Sequence, residues 1–254
     1  HVRQAAFIEQ KTGCELLMSL GEWSYGRALM LGAQNGETDG YVGWLRQVGM
    51  TEQHLTALGD QQRASPGMGG FLGGFARQFR EVRQDEVVRL GPWDWTVSIG
   101  AGHSPAPASF YSAEAATLVT GDQLLPHITP HVGIQFGQLG SDPLARYLKF
   151  LEGAQAYPAN VLALPGHGFP FRNIAGRARQ IAEHHHGHVE RLVEALREPK
   201  TVVQILPVLF KRELDGFSMI MALTEATAHL EYMVNIGLVS RSADGAGVNF
   251  YQTR

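Results

Sequence analysis

His103, Asp122 and His167 are the residues whose types and surroundings point to chemistry. Each follows a short strand-like run and sits on a turn made tight by glycine or proline. The three turns are Gly100-Ala101-Gly102-His103-Ser104-Pro105, Gly121-Asp122 and Pro165-Gly166-His167-Gly168. Imidazole and carboxylate suit zinc and neighbouring divalent ions, and a carboxylate can bridge two of them. Taken singly, a His or Asp after Gly reads as a turn or cap residue. Three in this order, each just past a strand, read as one site, because rigid strands ending at one rim present loop residues together.

The elements that must position them follow from local pattern. Trp93, Trp95, Val97 and Ile99 alternate with polar residues, the period-two signature of a half-buried strand. Ser109–Tyr111 and Ala116–Thr120 read as strands around a Ser-Ala-Glu turn, and Val161–Leu164 as a fourth. Val2–Gln10 has helical spacing, with Gly13 placed to end it, and Cys14–Met18 reads as a short buried strand. Glu22 to about Arg63 is helical. The Gly-rich stretch Ser65–Phe75 lacks the phosphate-loop pattern and reads as a mobile or close-packed loop. After Gly176, a helix carries the stripe Ile181, His185, Val189, Leu192 and Leu196. Its His184 and His188 share a face at i, i+4 that reads as partly exposed. From Glu198, two helices and a hairpin around Ala243–Gly247 suggest a winged-helix-like module, with Gly237 at the C′ position of the second helix. The expected division is a domain over 1–176, with a helical cap over about 22–75, and a C-terminal part over 177–254.

Composition narrows the function. The chain has 254 residues and a formal net charge of −3, so no global basic field draws in nucleic acid or anionic membrane. Its single cysteine, Cys14, excludes a disulfide framework and cysteine-based zinc sites; it reads as a small apolar residue. No run of eighteen or more apolar residues is present. A cytoplasmic protein without membrane partners is the expectation.

Gly102-His103-Ser104-Pro105, Gly121-Asp122-Gln123-Leu124-Leu125-Pro126 and Leu164-Pro165-Gly166-His167-Gly168 together resemble the metallo-β-lactamase-fold hydrolases. The branch is the β-lactamase-like or glyoxalase-II-like one with a C-terminal winged-helix-like extension. The resemblance implies an α/β fold, the αββα sandwich, with two divalent metal ions, zinc by expectation, at one edge. It implies that His103 binds the first ion, Asp122 bridges both, and His167 binds the second. His1 matches the last histidine of the family's H-x-H-x-D-H motif, a ligand of the second ion, and the H-x-H-x-D portion is expected upstream of it. The implied activity is a metal-dependent hydrolase in which Asp122 serves the catalytic centre and a metal-bound hydroxide attacks a thioester, lactone or ester. The implied partner is a small-molecule acyl substrate.

Around the site, His127, Phe171 and Arg172 are candidate substrate contacts, and His131 is a weaker one. Trp23, Tyr25, Trp44 and Phe71 either wall the substrate from the cap or simply pack it. The alternative within the fold is a nuclease acting on RNA or DNA; outside catalysis it is an inactive fragment or binding protein. Charge argues against the nuclease. Lys200, Lys211, Arg212, Arg241 and Arg254 face Glu198, Glu213, Asp215, Glu225, Glu231 and Asp244, and the helix over 224–236 has no basic residue. The C-terminal module therefore reads as structural, packing on the core or mediating a homodimer.

Overall fold

The computed structural model describes residues 2–35, 39–64, 78–134 and 140–254. In chain order the described elements are α1 (Val2–Thr12), β1 (Leu17–Met18), α2 (Leu20–Asn35), α3 (Asp39–Gln47), α4 (Glu52–Ala64), β2 (Arg80–Glu81), β3 (Val87–Leu90), β4 (Trp93–Ile99), β5 (Ala108–Ser112), β6 (Thr117–Gly121), α5 (Pro143–Ala154), β7 (Leu162–Pro165), α6 (Ile174–Ala195), α7 (Val202–Leu209), α8 (Gly216–Asn235), β8 (Val239–Ala243) and β9 (Asn249–Thr253). The result is a mixed α/β fold. The Gly-rich stretch Ser65–Phe75 lies outside the described residues.

The packing is discontinuous along the chain. One unit comprises His1–Gly36, Gly67–Pro130 and Lys149–Ile181; the other comprises Glu37–Pro66, His131–Leu148 and Ala182–Arg254. This differs from a division at 176, and the expected cap over 22–75 is not one body. The reason is burial: Leu45, Val48, Met50 and Leu58, from α3, α4 and their link, share a core with Leu192, Ile205, Leu223 and Leu230.

In the first unit, β3-β4-β5-β6-β7 form one sheet, antiparallel except for the parallel pair β6 and β7. A parallel pair needs a crossover, and the chain between these strands holds α5. The alternation in β4 works as expected: Trp95 and Val97 are buried with Val82 and Val88, while Asp94 and Thr96 stay exposed. Trp93 shares their face, yet at the strand's free end it remains 42% exposed. β1 pairs with β2 in parallel. Cys14 corrects an expectation. It is exposed in the turn after α1, because the strand is only Leu17–Met18.

The second unit builds its core from α3, α4, the later part of α6, α7, α8 and the β8–β9 hairpin. Thr201 and Gln204 form a reciprocal capping box at the start of α7. Gly49, at φ +97, lies under it; a Cβ there would stand 2.6 Å from Thr201 Oγ1. α8 ends in a Schellman motif. Gly237 takes φ +79, its N–H donates to Val234 O, and the N–H of Leu238 donates to Met233 O.

Candidate metal centre

Asp122 follows the C-terminal end of β6, and His167 follows that of β7, its parallel neighbour. Parallel pairing therefore puts the carboxylate and one imidazole at the same rim. The two loops interlock: the N–H of Gly166 donates to Gly121 O at 2.8 Å. A Cβ on Gly166 would overlap Asp122 Oδ1 and stand 3.2 Å from its Cγ, so only glycine leaves room for the carboxylate. Buried Thr120 adds a stitch, its Oγ1 donating to Leu124 O at 3.0 Å, with Leu164 O at 3.4 Å.

His103 arrives from β4 on a loop fixed at several points. Gly100 N donates to Pro107 O at 2.8 Å, closing its neck. Ser19, at the start of α2, donates through Oγ to Ala106 O at 2.6 Å and accepts from Glu22 N at 3.1 Å. Glu22 in turn accepts from Ala106 N at 2.7 Å. Ser19-Leu20-Gly21-Glu22 is a capping-box sequence whose glutamate is spent on the His103 loop instead of its own cap. From below, the Gln123 amide Nε2 donates to Ala101 O at 3.2 Å.

The outcome is convergence on one atom. His103 Nε2 and His167 Nε2 each lie 3.7 Å from Asp122 Oδ2. That exceeds hydrogen-bond length. Two ligands each held ~2.1 Å from one ion stand roughly 3.4 Å apart at the tetrahedral angle, so the spacing and donor types fit a metal. One carboxylate oxygen facing two imidazoles would suit a residue shared between two ions. The Asp122 side chain is 14% exposed, against 29% for His103 and 60% for His167. Among the described residues no group of three or more His, Cys, Asp or Glu side chains closes into a complete ion site. The remaining predicted ligand, His1, lies outside the described residues.

The other candidates are distributed differently. His127 is exposed on the loop after Asp122. Phe171 pairs with Ala163 in an antiparallel bridge, so the chain after His167 doubles back along β7. That return carries Arg172 away from the metal rim, correcting its assignment as a substrate contact there. Its Nη1 donates to Asn160 O, and it lines an open cavity of about 500 Å³ with Ala115, Ala116, Thr117, Asn160 and Leu162, at the opposite ends of β6 and β7. His131 is structural in the second unit. Its Nε2 donates toward Met221 O at 3.2 Å and sits 3.0 Å from Thr224 Oγ1. Trp23 stacks on Phe79 with centroids 4.3 Å apart, and Trp44 stacks on Tyr41 at 6.3 Å. Phe71 lies outside the described residues.

The histidines of α6 also correct an expectation. His184 is exposed, but His188, on the shared face, is 3% exposed, and His185 is fully buried with His229 of α8. His229 Nδ1 donates to Glu225 O at 2.9 Å, which leaves its Nε2 to accept from His185 Nδ1 at 3.1 Å. Burial first, then the neighbouring imidazoles, hold His185 down to about 2 and His188 to about 3; burial holds His229 down to about 4.

Residues missed in the sequence complete the support of the site. Arg177 donates from Nε to Leu125 O at 2.6 Å and from Nη2 to Ile128 O at 2.8 Å, clamping the loop after Asp122. Asn173, at φ +61, accepts through Oδ1 from Gly176 N at 3.1 Å and caps α6. Arg177 has no sequence signature, because its acceptors come near only when the loop folds back, whereas Asn173 stands where an N-cap is expected, just before the apolar run of α6.

Known proteins share both the fold and parts of the sequence. The profile of the family described as metallo-beta-lactamase-like, C-terminal domain, matches residues 189–254. A crystal structure of a beta-lactamase domain protein from Burkholderia ambifaria is 30% identical, covers 94% of this chain and 66% of its own, and superposes with a TM-score of 0.83. A metallo-beta-lactamase family protein from Thermus thermophilus is 24% identical, with 100% and 76% covered and a TM-score of 0.79, a likeness of fold. The chain thus spans 66% of the length of the Burkholderia protein. No curated protein matches the chain. No helix among the described residues is long and apolar enough to cross a membrane.

Proposed function

The chain belongs to the metallo-β-lactamase superfamily, and from that premise we propose that it is a metal-dependent hydrolase acting on an ester, lactone or thioester. The observation that carries the reading is the approach of His103 and His167 to one oxygen of Asp122. These residues would hold the ions, zinc being the one their nitrogen and oxygen donors suit. Bound there, the ions would polarise an acyl carbonyl and make water nucleophilic at neutral pH. For this, both imidazoles must be neutral at Nε2, with the proton on Nδ1. Asp122 must present its carboxylate to the ions, and Gly166 leaves that side chain the space it occupies. Hydrolysis then adds one water across the acyl bond, giving a carboxylic acid and an alcohol or thiol.

The nuclease alternative finds no support in the C-terminal unit. Arg241 is paired with Glu231 at 2.7 Å, and α8 presents no basic side chain for phosphates. The test is turnover of p-nitrophenyl acetate, a short acyl thioester and a γ-lactone by zinc-loaded protein. Hydrolysis of at least one, reduced at least ~100-fold by a chelator and by Asp122→Ala, is the expected result. Absence of turnover with all three, or turnover indifferent to both treatments, would overturn the proposal.

A further inference from the structure

We propose that Gln123 is a positioning residue for the metal centre, fixing His103 through the carbonyl of Ala101; this rests on the reading of His103 and Asp122 as metal ligands. The side chain is fully buried, an expensive place for a primary amide unless it is hydrogen-bonded. Its Nε2 donates to Ala101 O, two residues before His103. A carbonyl oxygen only accepts, so the amide's orientation is settled by this bond. The fit is close. A Cβ on Gly100 would overlap Gln123 Nε2 and stand 3.0 Å from its Cδ. Gly100 is therefore the residue that admits the amide beneath the loop.

The arrangement couples the two ligand loops through adjacent residues. Asp122 turns outward to the rim, and Gln123 turns inward to hold the loop that brings His103 to it. A turn bond from Gln123 N to Thr120 O at 3.1 Å fixes both against the end of β6. Outer partners bonded directly to a ligand change metal affinity by roughly 10–100-fold when removed; Gln123 acts one step further out, through the loop backbone, so the low end of that range is expected.

Two variants test this by different routes. Gln123→Met keeps volume but removes the donor, and Gly100→Ala inserts a methyl group where the amide lies. Zinc affinity is measured by competition with a chromophoric chelator at a temperature where all the metal-free proteins are folded, alongside the thermal midpoint of each. The expected result is a zinc Kd raised at least ~10-fold in both variants. An unchanged Kd in both, even with a lowered thermal midpoint, would overturn the proposal and leave Gln123 as core packing. Wild-type protein that takes up no zinc would instead overturn the metal-site reading, and this inference with it.

Discussion

Gly166 is the residue on which the site's geometry presses hardest. Its missing side chain leaves the space that Asp122 Oδ1 occupies, so Gly166→Ala must move either the carboxylate or the loop of His167. Overpacking of this kind costs about 1–3 kcal/mol. The expected outcome is a modest fall in thermal midpoint and a zinc affinity at least ~10-fold weaker, read by chelator competition. An alanine variant with native zinc affinity would mean that the carboxylate does not need its present position. The candidate ligands are legible in the sequence only in combination: Gly and Pro around a single His or Asp mark a tight turn, and three such turns, each just past a strand, mark a candidate site. Gln123, Arg177 and Thr120 are not. A buried amide or hydroxyl, or a half-buried guanidinium, is recognised by its acceptor, and those acceptors are backbone carbonyls that only the folded loops bring near.

At the scale of elements, α6 and α8 meet through imidazoles. With the His185 and His229 protons both on Nδ1, His185 Nε2 is buried without a partner among the described residues. His188 lies 5.1 Å from His229 by ring centroids, and Tyr147 meets His185 edge-on at 5.7 Å. His184, His186 and Arg191 add positive charge or dipoles on the α6 side, and Glu225 is the carboxyl on α8. All three buried histidines are held below their ordinary 6.5, so the folded state refuses protons that the unfolded state accepts. Their stabilisation is present above pH 6.5 and is lost progressively as pH falls toward about 4 for His229, about 3 for His188 and about 2 for His185. Glu225 has the opposite sign. Burial pushes it up to about 7 from 4.5, so its contribution is present below 4.5 and lost as pH rises through 7, which offsets one histidine. About two protons net are then taken up on unfolding, a loss on the order of 2–3 kcal/mol between pH 6.5 and about pH 5. Urea midpoints at those two pH values measure it. The midpoint is expected to fall at the lower pH in the wild type and to change much less in a His185→Leu/His229→Leu variant. A wild-type midpoint equal at both would contradict the account.

The same elements show what pattern alone conveys. β4, α1 and the Gly237 terminus of α8 are legible because each rests on local periodicity or a single backbone requirement. β2 and β3 are two and four residues long, too short to carry a period. α5 has both a stripe and a start signal. Leu144, Tyr147 and Leu151 make its buried face, and Asp142 Oδ1 accepts from Ala145 N at 2.9 Å before Pro143 opens the helix. The burial of His188 is hidden from the sequence because a polar residue on an exposed-looking face is buried only by what a distant helix supplies.

For the whole molecule, length and charge set the class but not the division into units. Two cores assembled from interleaved segments depend on contacts among residues far apart in the chain, such as Leu45 with Leu223 in one cluster. No composition shift marks them. Net charge of −3 and an α8 without basic side chains predict the partners. Binding of a short RNA or DNA duplex should be undetectable at micromolar protein in about 150 mM salt by fluorescence anisotropy, and salt-sensitive binding would favour the nuclease alternative. Asp122 is proposed to join His103 and His167 in a metal centre, and metal content tests this most directly. Elemental mass spectrometry on zinc-supplemented, desalted protein should find about two ions per chain in the wild type and less than one in Asp122→Ala. Less than one ion in the wild type as well, or equal loading in the two, would contradict it.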